Sequence, residues 1–308
     1  MSRNLGVGSR DMKRAGCMVW RASSASFSSV STNSSHWCAF TNWAKTNGLS
    51  KMEKICATDI VASGEYLAAR VKDGTLALAT AHTRISVVNR TFELARGDKK
   101  VRARAVRDCG LPRRSNIAKT SKSMPVGKHQ MLCNSLPGLI SALLNLQRLL
   151  GLRFKESALL NARAALKNAQ KFGWVLIMSG TKGGRARKVP ITTVEQMEAL
   201  EHAASIQDGR SLIPKKLSYA QFRRACYRQF SHFHSERHAY AQARYQSLTN
   251  APCPVVAGKK HGKDHLQFLS QTLAISIEEA RHTDDVARKQ VSRELGHRRK
   301  GITNAYYG

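Results

Sequence analysis

Apolar residues recur along most of this chain at helical spacing, and in two short stretches at strand spacing. "HWCAFTNWAKTNG" (36–48) sets Trp37, Phe40, Trp43 and Ala44 on one face before a Gly48 stop. "ATDIVASGEYLAARVKDG" (57–74) predicts a second helix capped by Thr58 or Asp59, and "LALATAHTRISVVNRTFELAR" (76–96) a third, richer in β-branched residues than helices prefer. Farther on, "NSLPGLISALLNLQRLLG" (134–151) is amphipathic with Asn134 or Ser135 as cap, and "RFKESALLNARAALKNAQK" (153–171) continues helically. "WVLIMS" (174–179) and "RKVPI" (187–191) flank "GTKGG" and read as a β-hairpin. "TTVEQMEALEHAASI" (192–206) opens with Thr192 and Glu195 at capping-box spacing. "LSYAQFRRACYRQFSHF" (217–233), "SERHAYAQARYQSL" (235–248) and "EEARHTDDVARKQVSRELG" (278–296) complete a helical set, with a Pro- and Gly-bearing loop expected over 249–268.

Two segments break the periodicity. Residues 1–33 are Ser- and Gly-rich and read as a flexible basic arm. Residues 98–130 are basic and full of turn formers, and read as a linker. The expected organisation is therefore an arm (1–33), a small helical domain (34–97), a linker (98–130) and a mostly α domain with a small antiparallel sheet (131–308). Two domains suit the 308 residues, and 42% hydrophobic residues suffice for packed cores.

Charge narrows the function. Lys and Arg number 51 against 20 Asp and Glu, a net +31, spread through the folded segments rather than gathered in a tail. Such a surplus calls for an anionic partner, and nucleic acid is the first candidate because each neutralised phosphate releases counterions. The seven scattered cysteines form no C-x-x-C pair, so neither a disulfide framework nor a zinc site is indicated, and a reducing cytoplasm fits. The histidines of "HFHSERH" (232–238) lack ligand-spaced partners, so no metal is expected. No apolar run approaches a membrane span, and the N-terminus lacks the apolar core of a secretion signal.

The chain closes on "LGHRRKGITNAYYG" (295–308), with a tyrosine nine positions after a histidine. Alone, a Tyr-Tyr pair reads as packing. If Tyr306 instead attacks a phosphodiester, the chemistry needs guanidinium forks for the non-bridging oxygens, an acceptor for the phenol proton and a donor for the leaving oxygen. "GLRFKES" (151–157), "GTKGGRARKVPI" (180–191), "HSERHAYA" (234–241) and the closing segment contain such groups. Alone, Arg153 reads as a surface arginine, Lys182 as a hairpin tip, and His234 with Arg237 as an exposed helix face.

These four segments resemble the signatures of the tyrosine recombinase (phage integrase) family over residues 131–308, and the helical segment 34–97 resembles the SAM-like core-binding domain of integrases. The resemblance implies a DNA breaking-rejoining fold and site-specific cleavage through a 3′-phosphotyrosyl bond that integrates or excises a mobile element. Carried over by position, Arg153 and Arg237 clamp the scissile phosphate and Lys182 protonates the leaving 5′-oxygen. His234 assists proton removal, His297 binds a non-bridging oxygen, Tyr306 is the nucleophile and Glu156 orients its neighbours from behind. Arg185, Arg187, Lys188, Arg298 and Arg299 are expected on DNA. Tyr307, one residue late, is expected to pack. The resemblance further implies no cofactor, duplex attachment sites as substrate, a homo-tetramer on DNA, accessory DNA-bending or directionality factors, and a cytoplasmic, nucleoid-associated protein. The rival readings are an inactive integrase-like DNA-binding protein and a type IB topoisomerase-like enzyme. Three departures stand out: Glu236 where the family commonly has leucine, a long stretch between Arg237 and His297, and an end two residues after Tyr306 where many relatives carry a docking helix.

Overall fold

Met12, Ala15 and Val19 stand three or four residues apart, and in the computed structural model, which describes residues 3–308, they form with Trp20 the buried face of a helix, α1 (Met12–Ala22). Asp11 caps it, accepting from the Arg14 backbone N–H at 2.6 Å. The expected basic arm is thus corrected to folded structure. Its apolar face was masked by the Ser-rich run behind it, and that run itself begins α2 (Phe27–Thr46) behind a Ser26 cap. Gly16 lets the Trp37 indole lie directly against the α1 backbone, and Trp37 Nε1 donates to Met12 O at 3.2 Å. Trp20 Nε1 donates to Thr91 Oγ1 at 2.9 Å.

Two more helices complete this bundle, α3 (Ala57–Lys72) and α4 (Leu78–Arg96). Cys56 rather than Thr58 or Asp59 is the residue before α3; Asp59 sits in its first turn and accepts from the Cys56 backbone N–H at 2.8 Å. The β-branched residues of α4 are tolerated because Ile85, Val87 and Val88 are buried. Beyond α4 the expected linker divides. Ala103, Cys109 and Leu111 belong to the first core, and Asn89 holds both backbone groups of Ala103. The chain separates into two compact units after Ser115, the second running from Asn116 to Gly308.

The second unit starts with α5 (Val126–Ser135), which ends where Pro137 cannot donate, so α6 (Gly138–Leu150) has Pro137 before it, two or three residues later than the Ser135 or Asn134 cap expected. The next expected helix is two, α7 (Phe154–Ala158) and α8 (Ala162–Phe172), the latter capped by Asn161. β1 (Trp174–Ile177) and β2 (Arg187–Pro190) pair antiparallel with Val175 opposite Val189 and Ile177 opposite Arg187, these four turned inward. α9 (Val194–Ile206) is boxed by Thr193 and Gln196, one residue later than expected. Then come α10 (Tyr219–Gln229), α11 (His234–Thr249), α12 (Pro254–Ala257), α13 (Lys263–Leu273), α14 (Ile277–Glu294) and α15 (Asn304–Tyr307). The loop expected over 249–268 therefore contains α12 and the start of α13. Leu143, Leu144, Leu146, Val175, Leu200, Tyr245 and Val291 lie at the centre of the core, where α6 packs against α9 and α11. Among the described residues no helix is long and apolar enough to cross a membrane.

Candidate active site

Gly151 ends α6 in the left-handed region, φ 61°, with Tyr240 against it where a Cβ would stand. The turn sends Leu152 into the core and leaves Arg153 at the head of α7. Glu156, in the first turn of α7, is wholly buried. Its carboxylate accepts from the Arg153 backbone at 2.8 Å and from Arg153 Nη1 at 2.6 Å. Arg187 approaches it from β2 as a fork, with Nη1 at 2.9 Å and Nη2 at 2.7 Å, while Arg187 Nε donates to Glu294 O at 2.6 Å. Arg237 Nη1 stands 3.6 Å away. Burial alone would raise the Glu156 pKa, but the Arg187 hydrogen bonds and charge, with Arg237 behind them, bring it down to about 2. One carboxylate among three guanidiniums leaves a local excess of positive charge, which suits a phosphodiester.

Arg237, on α11, is fully buried and joins this cluster to the end of the chain. Its Nη1 donates to Gly151 O, and its Nη2 donates to Leu295 O at 2.5 Å. Nη2 also reaches His297 Nε2 at 3.4 Å, and Nε donates to the Tyr306 hydroxyl at 3.2 Å. Tyr306 and His297 arrive because α14 stops in a left-handed Gly296, φ 70°, whose following His297 N–H returns to Ser292 O at 2.8 Å. The His297 and Tyr306 rings stack at 5.8 Å, 24° apart. Burial, then the charges of Arg237, Arg153 and Arg187, lowers the His297 pKa to about 3, so the imidazole is neutral. With Nε2 accepting from Arg237, its proton sits on Nδ1, a buried atom with no partner. His234 opens α11 with an exposed edge, 6.0 Å from the Tyr306 ring. Crowding of its ring, then Arg237 and Arg153, pushes its pKa down as well.

Arg153, Glu156, His234, Arg237, His297 and Tyr306 thus converge, while the other expected residues stand elsewhere. Lys182 and Arg185 are exposed on the hairpin turn. Lys188 is exposed on β2, its ammonium 4.0 Å over the Trp174 ring. Arg298 and Arg299 are exposed just after His297. Arg187, expected on DNA, is corrected: it is buried with its guanidinium committed to Glu156 and Glu294, because position 187 falls on the inward face of β2. Tyr307 is buried against Tyr245, with ring centroids 5.2 Å apart.

Two further residues belong to the arrangement. His238 lies one turn after His234, buried, 4.6 Å from the Tyr306 ring. Burial lowers its pKa to about 4, and its Nδ1 has no partner. The i, i+4 spacing of His234 and His238 was the signal for it. Gln242 Nε2 holds Tyr306 O at 2.9 Å, one turn farther along the same face. Glu236, the acid beside Arg237, points away from the site. It is buried between His129 Nδ1 at 3.0 Å and Arg148 Nη1 at 2.7 Å, so its charge is neutralised behind α11. Among the described residues no three His, Cys, Asp or Glu gather as metal ligands.

Comparison with known proteins gives a partial family match and similar folds. Residues 131–243 match the family described as Integrase. No curated protein matches the chain. Among solved structures, a lambda integrase dimer bound to a COC′ core site is similar with a TM-score of 0.57 at 14% identity, covering 96% of this chain and 76% of that one. The Tn1549 transposon integrase in complex with a circular intermediate DNA gives 0.58 at 10%, covering 95% and 94%. A lambda integrase tetramer bound to a Holliday junction gives 0.50 at 15%, covering 76% and 71%. At such identities the likeness is one of fold.

Proposed function

We propose that the chain, whose residues 131–243 match the Integrase family, is a member of the tyrosine recombinase (phage integrase) family and a site-specific DNA recombinase working through a 3′-phosphotyrosyl intermediate on Tyr306. The observation that carries this is the Tyr306 hydroxyl held at 3.2 Å by Arg237 within the guanidinium cluster on Glu156. Tyr306 and His297 occupy donors of Arg237 that a scissile phosphate would take. DNA binding would displace them from the fork and leave the phenol beside the phosphorus.

In the proposed step the phenol oxygen bonds to phosphorus while the bond to the 5′-oxygen breaks. Arg153 and Arg237 neutralise the charge that grows on the non-bridging oxygens. His297, once released from Arg237, exchanges its single ring proton through water from Nδ1 to Nε2 and donates it to one of them. His234, kept neutral by its surroundings, accepts the phenol proton. Lys182 protonates the departing 5′-oxygen after the hairpin turn moves onto the DNA, and Arg185, Lys188, Arg298 and Arg299 bind the backbone around it. Because the phosphodiester energy is kept in the protein-DNA bond, attack by a second 5′-hydroxyl reverses the step without a nucleotide cofactor.

The lambda relative, a tetramer on a Holliday junction, is the precedent for four copies of this chain exchanging strands in pairs. Integration or excision of a mobile element in the cytoplasm, with bending or directionality factors, is the setting we assign. The test is trapping on nicked suicide duplexes that carry the element's junctions. A DNA-linked band that disappears in Tyr306→Phe is expected. Site-specific binding with no covalent product from the unmodified protein would refute the catalytic reading.

A further inference from the structure

We propose that Arg288 is a positioning residue that fastens the Tyr306-bearing segment to the body of its own chain. The inference rests on the reading of Tyr306 as nucleophile. α15 has four residues, too few to hold a helix unaided, so the direction of its side chains is imposed from outside. Arg288 on α14 is 4% exposed, and its Nε donates to both Asp284 oxygens, at 2.9 and 2.8 Å. That carboxylate, which also accepts from the Tyr245 hydroxyl at 2.5 Å, orients the guanidinium. Nη1 then grips the segment at both ends, Asn304 Oδ1 at 3.0 Å and Gly308 O at 3.4 Å, and Cζ lies 5.2 Å from the Tyr307 ring centroid between them.

The other fastenings share this plan. The Ala118 N–H donates to Asn304 O at 2.9 Å, and His261 Nδ1 meets Gly308 O at 2.9 Å. Gln242 holds Tyr306 O. Tyr307 is the plug and Tyr306 the side chain left pointing at Arg237. Rotating a four-residue helix by a fraction of a turn would carry the phenol off the Arg237 fork, and a misplacement of about 1 Å costs roughly a hundredfold in rate. Arg288 touches none of the atoms proposed to react.

Phenol acetylation by N-acetylimidazole, read by peptide mass spectrometry on the full-length protein, tests the fastening without DNA. In the unmodified chain Tyr306, Tyr307 and Tyr240 are protected and the exposed Tyr66 reacts. In Asn304→Ala and Arg288→Gln, Tyr306 and Tyr307 should react about tenfold faster or more, with Tyr240 still protected. Arg288→Lys, which keeps a donor for Asn304, should lie between. Asn304→Ala keeps the Arg288–Asp284 pair intact and remains informative if Arg288→Gln fails to fold. On DNA, the same variants should lose roughly a hundredfold in the cleavage rate constant at saturating substrate, with unchanged affinity. Unchanged protection of Tyr306 overturns the proposal, as does Tyr240 opening together with it, which would make Arg288 a general support of the fold. Absence of any covalent complex in the unmodified protein refutes the recombinase reading instead, and acetylation then decides the fastening alone.

Discussion

Replacing Glu156 with glutamine removes one charge and almost no volume, yet it should be among the most damaging single changes in the second unit. The carboxylate is fully buried and accepts from two arginine side chains, the Arg187 one being only 5% exposed. A glutamine oxygen can keep one of these bonds, but the amide NH₂ would face guanidinium N–H groups, donor against donor. Arg153 can turn towards water, whereas Arg187 cannot. Breaking a buried pair from one side costs about 3–5 kcal/mol, because the remaining charge stays desolvated. For a unit of this size that is roughly 10 °C in Tm. Scanning calorimetry of the full chain measures it, with the first unit as internal reference. The acid limb should change too. The native pKa lies below the unfolded value, so the Glu156 contribution is present above about 4.5 and is lost as pH falls towards about 2. Glu156→Gln should flatten that limb. Arg187→Met alone should be costly, but the double variant should lose well under the sum, since the pair is removed together. A loss below about 1 kcal/mol for Glu156→Gln, or strict additivity with Arg187→Met, would refute the claim that this cluster is held by its charges.

His129 responds in the opposite sense to Glu156. Burial opposes its charge, but Cys133 and Glu236 raise its native pKa to about 9, so its contribution is complete below about 6.5 and is lost as pH rises through 9; His129→Gln should flatten denaturation midpoints over that range. Glu236→Leu, which brings in the residue common in the family, should destabilise by about 3 kcal/mol, because His129 and Arg148 both lose their buried partner; urea denaturation checks it, and a neutral or stabilising result would refute it. Gly16→Ala should cost about 1–3 kcal/mol in the first unit, since the new methyl meets the Trp37 indole; the calorimetric transition of that unit reads it. Lys182→Ala should leave stability within about 0.5 kcal/mol, the side chain being exposed, while slowing cleavage.

By itself, the sequence determined the helices whose apolar stripe is long, the hairpin around "GTKGG", the excess of basic charge and the order of the four motif segments. Those features are local, written in periodicities of a few residues or in spacing along one segment. The α1 stripe was equally local but lay beside a Ser-rich run that resembled an unstructured arm. Its helix became clear only once Trp37, 25 residues away from Met12, was seen to donate to that residue's carbonyl. Within the site, Arg153, His234, Arg237, His297 and Tyr306 were legible because each stands at a motif position. Tertiary structure alone decided what each side chain meets. Arg187 sits between exposed Arg185 and Lys188 in the same basic run, and only the strand register turns it inward onto Glu156. The Glu236 carboxylate beside Arg237 looked like a threat to a phosphate site until the helix sent it to the opposite side, between two cations brought by α5 and α6. Arg288 and Asn304 carry no motif at all. Their pairing depends on two segments meeting in space, and no periodicity along one chain encodes the distance between residues that meet only after the core has formed.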